Sequence, residues 1–194
     1  AQQQAATQLE SELSDQERYR QDHLSTIKAA DSSVVNDLIN ILVFTDGNQD
    51  GEVREKALAK IKSNPNWQQV LVEALQNENA PTVFTFLASN AVDDKALFAE
   101  PVRKGILQLA DGIRRDIRQC SHPSHFYADQ FSWDIDRMLA TVEHFKDTGT
   151  DYLPAMREVR AALDEPSDPP GLKKVEFKAV STLDWWIKQS AKSR

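Results

Sequence analysis

Behind the polar loop TDGNQDGE at residues 45–52, Val53, Ala57, Leu58 and Ile61 recur at i, i+4, i+5 and i+8. That interval marks one face of an α-helix. A second apolar stretch, VVNDLINILVF at residues 34–44, ends where the loop begins and carries apolar residues on almost every side. Two such helices joined by a polar loop cannot bury their apolar surface alone and must stack on neighbours. The predicted fold class is therefore all-α, built of stacked antiparallel helical hairpins. Strand-like alternation is nearly absent and only six glycines occur in 194 residues.

The same rhythm continues along the chain. A polar first helix over residues 9–29, with Ser14 and Glu17 as a capping box, suits the end of a stack, where one face meets water. Leu9, Leu13, Leu24 and Ile27 are too sparse to make a coiled-coil seam the better reading. Trp67, Val70, Leu71, Ala74 and Leu75 form a stripe behind Pro65, and Val83, Phe84, Leu87, Ala88 and Ala91 form another behind Pro81. Phe98, Val102, Ile106, Leu109, Ile113 and Ile117 line a longer helix reaching Gln119, which Pro101 is expected to kink or split. Helices are also predicted after Pro123 (Phe131, Ile135, Met138, Val142, Phe145) and from Pro154 (Met156, Val159, Leu163). Pro166, Pro169, Pro170 and Gly171 then impose an extended linker. One domain over residues 1–165 is expected, with 166–194 as a strap and a short terminal helix, capped at Thr182, that fold back on it.

The hexapeptide Val53-Arg54-Glu55-Lys56-Ala57-Leu58 has a counterpart in Val102-Arg103-Lys104-Gly105-Ile106-Leu107, 49 residues further on. Val159-Arg160-Ala161-Ala162-Leu163 is a weaker echo. With its acidic loop leading to Val-Arg and a helix of spaced alanine and leucine, DGNQDGEVREKALAKI resembles the HEAT/armadillo-like repeat family. The resemblance is clearest over residues 33–92 and extends loosely to Gln119. It implies a right-handed curved stack of helix pairs that serves as a binding scaffold, with Arg54 and Arg103 bracing neighbouring loops rather than acting on a ligand.

A net charge of −7 argues against a nucleic-acid backbone as ligand, because phosphate binding needs a concentrated basic surface. The basic cluster Arg103, Lys104, Arg114, Arg115 and Arg118 is interrupted by Asp111 and Asp116 and reads as a solvated helix face. No apolar run approaches the roughly 20 residues that span a bilayer. One cysteine, Cys120, excludes an intrachain disulfide and leaves the redox compartment open. The glutamine-rich start, AQQQAATQ, fits a mature end, a methionine-processed start or an excised domain, so localisation stays open as well.

Two clusters invite a metal. Asp46, Asn48, Asp50 and Glu52 match the first half of a calcium loop, with Gly51 at the sharp turn. The second half departs from it: Ala57 stands where a bidentate glutamate belongs and Arg54 places a cation nearby. A polar turn in which Asp50 caps the following helix explains the same residues. Cys120, His122, His125 and Asp129 hold zinc-type donors at spacings that fit an interhelical turn better. No phosphate loop, nucleophile elbow or His-Glu-x-x-His pattern is present, so the chemistry-bearing residues give little support to an enzyme.

What remains is surface. Phe126, Tyr127 and Trp133, the basic trio Arg114, Arg115 and Arg118, and the pair Trp185 and Trp186 are the candidate partner-binding residues. The tryptophan pair either docks onto the helices or is displayed as an anchor, since tryptophan dominates interface hot spots. Lys188, Lys192 and Arg194 give a membrane-facing variant only slight support. The leading expectation is a non-enzymatic scaffold with a protein partner. The alternative is a metal- or ligand-responsive domain of an extracytoplasmic protein using the 46–52 loop or the 120–129 cluster.

Overall fold

The computed structural model describes residues 2–192, and Arg194 lies outside them. Among the described residues it is all-helical, with nine α-helices, two short 3₁₀ turns and no strand. The chain divides into two compact units, Ala1–Trp67 and Gln68–Arg194. Periodicity alone, which suggested one domain over 1–165, did not anticipate that division.

The first unit contains α1 (Gln2–Ala29), α2 (Val35–Ile41), a 3₁₀ turn (Leu42–Thr45) and α3 (Gly51–Lys62). Helix α3 packs on α1 and on the 3₁₀ turn. Of the predicted stripe, Val53, Ala57 and Ile61 point inward, in a core that includes Ile27, Leu38, Ile41 and Leu42, all buried, while Leu58 is only half-buried. Asp50 begins α3 by accepting hydrogen bonds from the Glu52 and Val53 amides, satisfying donors that have no intrahelical partner. Asp31 accepts from the Ser33 amide and hydroxyl, which turns the chain between α1 and α2. These hydrogen bonds hold the Asp31 carboxyl below its ordinary range. Arg54 Nε donates to the Thr45 carbonyl, a brace from α3 to the preceding turn.

Helix α4 (Trp67–Ala74) opens at the unit boundary. The second unit continues with α5 (Ala80–Leu87), α6 (Lys95–Arg118), α7 (Ser132–Phe145), α8 (Leu153–Ala162) and α9 (Ala179–Lys192). Helix α5 packs on α6 and α7, α6 packs on α8, and α8 packs on α9. Helix α6 runs through Pro101 without a break. Its stripe of Phe98, Val102, Ile106, Leu109, Ile113 and Ile117 is buried throughout. Gly105 lies on the same side because no larger residue fits there. A Cβ at that position would stand 2.9 Å from Leu75 Cδ2, 3.1 Å from Phe84 Cζ and 3.2 Å from the Leu75 carbonyl oxygen. Polar ties reinforce the packing. His144 Nδ1 meets the Leu87 carbonyl at 2.9 Å, and the buried Tyr152 hydroxyl donates to the Ala99 carbonyl at 2.9 Å.

Two boundaries differ from expectation. Helix α7 starts at Ser132, well after Pro123, because residues 120–131 form successive turns. Phe131 ends that stretch in the left-handed region at φ 69°, a costly state for a residue with a Cβ. There its ring meets Phe126 and Phe177 at centroid distances of 5.7 and 5.2 Å. Helix α9 starts at Ala179, three residues before the expected Thr182 cap. The strap before it is tied down. Lys173 Nζ donates to the Leu163 and Glu165 carbonyls at the end of α8, and burial lowers the Lys173 pKa. The Ser167 hydroxyl accepts from the Leu172 and Lys173 amides.

Candidate partner-binding surface

Helix α9 buries Ala179 and Leu183 and thereby turns Trp185 away from the core. Trp186 is half-buried, and Trp185 is 63% exposed. Both rings border a groove of about 430 Å³ whose other walls are Val142 and Glu143 of α7, Lys146 just after it, and residues 150–153 leading into α8. Gln189 and Ser190, one turn beyond the tryptophans, complete its rim. Glu143 accepts a hydrogen bond from Lys146 at 2.9 Å and raises the lysine pKa. The groove thus presents an aromatic lip, hydrogen-bonding amide and hydroxyl groups and a locally neutralised ion pair.

The other aromatic candidates separate. Phe126 is buried and belongs to the Phe131–Phe177 cluster. Tyr127 and Trp133 are exposed, and the Arg137 guanidinium lies 3.9 Å above the Trp133 ring. The basic trio separates too. Arg114 pairs with Glu158 at 2.7 Å and approaches Glu165, while Arg118 pairs with Glu165 at 2.6 Å. Both arginines therefore tie α6 to α8 and to the residues just after it. Arg115 instead lines a smaller pocket of about 220 Å³ with Asp116, Phe131 and Asp134. In that pocket burial, reinforced by the Asp116 charge, raises the Asp134 carboxyl above the ordinary aspartate range.

In the first unit, Asp46 is buried and accepts from the Asn48 amide, Asp50 is engaged as the α3 cap, and Glu52 is held by Arg20. Arg20 also stands 3.5 Å from Asp50, so a fixed cation sits beside these carboxylates. The buried Cys120 thiol donates to the His122 carbonyl, and His122 meets the Ser124 hydroxyl at 2.8 Å. Asp129 pairs with Lys178 at 2.9 Å. No three His, Cys, Asp or Glu side chains among the described residues converge as metal ligands. No described helix is long and apolar enough to cross a membrane.

Reading the sequence picked out Trp185 and Trp186, but missed their surroundings. Gln189 carries no local signal, since it comes to the same groove as Glu143 and Lys146 only through the packing of α9. Arg20 and Asp134 were missed for the same reason: their partners are 32 and 18 residues away along the chain. No protein-family model, curated protein or solved structure matches the chain.

Proposed function

We propose that the chain is a non-enzymatic protein-interaction scaffold, and that its second unit is a HEAT-like stack of helical hairpins. Packing of α5 on α7 and of α6 on α8 supports the stack, because paired hairpins place first helix on first and second on second. The observation that carries the binding role is Trp185, 63% exposed at the lip of the α7–α9 groove. A tryptophan left in water beside a half-buried neighbour forfeits most of its burial energy, which a partner's apolar side chain recovers. Truncating a tryptophan hot spot costs about 2 kcal/mol or more of binding energy, roughly a 30-fold loss of affinity. A photo-reactive phenylalanine analogue at position 185 is expected to cross-link a discrete polypeptide, and Trp186→Ala should suppress that product. The reading fails if position 185 captures nothing beyond what the same analogue captures at exposed Lys174.

A further inference from the structure

Helix α1 is polarised in charge along its length. Glu10, Glu12, Asp15 and Glu17 are the only charged residues up to position 17, so that half carries four acids and no base. From 18 to 29 the balance reverses, with Arg18, Arg20 and Lys28 against Asp22. The helix is also longer than its support. Its 28 residues span about 42 Å, whereas the 12 residues of α3 span about 18 Å. The two run parallel, with Arg20 against Glu52 at one end and Lys60 Nζ on the Lys28 carbonyl at the other. Contact with α3 is therefore concentrated on the basic half. The acidic half displays Leu13 at 56% exposure, and Tyr19 is 58% exposed near the middle of the helix.

Beside the α1–α3 seam lies a groove of about 570 Å³. Its floor is Leu24, Ile27 and Ala59, and its rim carries Lys28, Lys56 and Lys60. None of these three lysines forms a direct ion pair among the described residues, and Lys60 donates to the Lys28 carbonyl within electrostatic reach of Asp31. The one acid on the rim, Glu52, is already matched by Arg20. On a chain of net charge −7 the groove is a local inversion of sign over an apolar floor. It is open along one side, which does not enclose an acyl chain but does admit one face of a helix.

We infer that the groove receives the acidic half of α1 from a second copy of the chain, giving a two-fold dimer of antiparallel α1 helices. Antiparallel alignment places Leu13 over Leu24 and Ile27 of the second copy. It brings Glu10 and Glu12 to that copy's Lys28, Lys56 and Lys60, whereas Asp15 and Glu17 are already paired with Arg18 and Arg20 of their own helix. Each copy donates one acidic half and one groove, so the two contacts are identical and the assembly closes at two. Exposed ion pairs are screened by salt, so the association is strongest at low ionic strength.

Sedimentation velocity on the full chain across the micromolar range tests this. The expected result is a dimer that weakens as salt is raised. Lys56→Glu with Lys60→Glu, and separately Glu10→Lys with Glu12→Lys, should each weaken self-association by at least about tenfold. Helical content should be retained, because Glu10, Glu12 and Lys56 are exposed and Lys60 is partly so. Mixing the two variants makes both contacts complementary again and should restore a heterodimer within about threefold of the unaltered affinity. Leu13→Arg should weaken the dimer without altering the fold. A monomeric unaltered chain at low salt overturns the inference, as does a dimer indifferent to the charge reversals or a mixture that stays monomeric. Binding of a synthetic peptide copying residues 8–20, or of anionic vesicles, by a chain that stays monomeric would also overturn it, in favour of another occupant.

Discussion

Gly105→Ala is the sharpest test of how the second unit is packed. In an exposed helix interior this change stabilises, by about 1 kcal/mol, because glycine gives up more backbone freedom on folding. At position 105 the new methyl would stand 2.9 Å from Leu75 Cδ2, 3.1 Å from Phe84 Cζ and 3.2 Å from the Leu75 carbonyl oxygen. Leu75 and Phe84 are fully buried, so neither side chain has open space to retreat into, and the carbonyl belongs to the backbone. Overpacking of this kind costs about 1–3 kcal/mol. Gly112 provides the reference, two turns along the same helix. There the nearest group to an added methyl is the Arg115 guanidinium at 3.8 Å, so Gly112→Ala keeps only the gain. Because the propensity term cancels between the two variants, their difference isolates the packing cost. Gly105→Ala should be less stable than Gly112→Ala by about 2 kcal/mol, within the overpacking range. The buried thiol of Cys120, the only cysteine, reports opening of this unit through its labelling rate in increasing denaturant. Equal stability of the two variants, within about 0.5 kcal/mol, would refute the close approach of α6 to Leu75 and Phe84.

Three further outcomes follow from the geometry. Asp50→Ala should cost about 1 kcal/mol by leaving the Glu52 and Val53 amides without an acceptor, and Asp50→Ser should recover most of it in thermal denaturation. Glu165→Gln should cost about 1 kcal/mol, because the partly buried carboxylate links Arg114 and Arg118, and raising salt should narrow the difference. Asp134 has a folded pKa raised by burial and by the Asp116 charge, so the folded state holds its proton more tightly than the unfolded chain does. Its contribution is therefore fully present below the ordinary aspartate range and is lost as pH rises through the raised folded value. Asp134→Asn should accordingly raise the midpoint at neutral pH and leave it unchanged in acid, and a constant difference across pH would contradict the assignment.

Stripes of apolar residues were the legible part of this chain. Val53, Ala57 and Ile61, the six-member stripe of α6, and Ile135, Met138, Val142 and Phe145 of α7 are all buried as their spacing indicates. The reason is physical: a helix in a stack exposes one side to a neighbour, and that periodicity survives in sequence. Asp50 was legible as a cap for the same local reason. Residues 120–131 were not, because their conformation depends on contacts with the strap, including the Lys178 amide on the Ala128 carbonyl and Phe177 against Phe126. The reach of α1 back to Gln2 was missed because its alanines and glutamines favour helix without any apolar rhythm. The groove beside Trp185 arises from three separated segments, and no local pattern records that meeting.

Helix α9 also closes one flank of α8. A further hairpin added after α8 would need flank area that α9 already covers with Ala179 and Leu183. It would also have to dislodge Lys173 from the last carbonyls of α8. A helix engineered to pack on that flank of α8 has first to displace α9 and the strap.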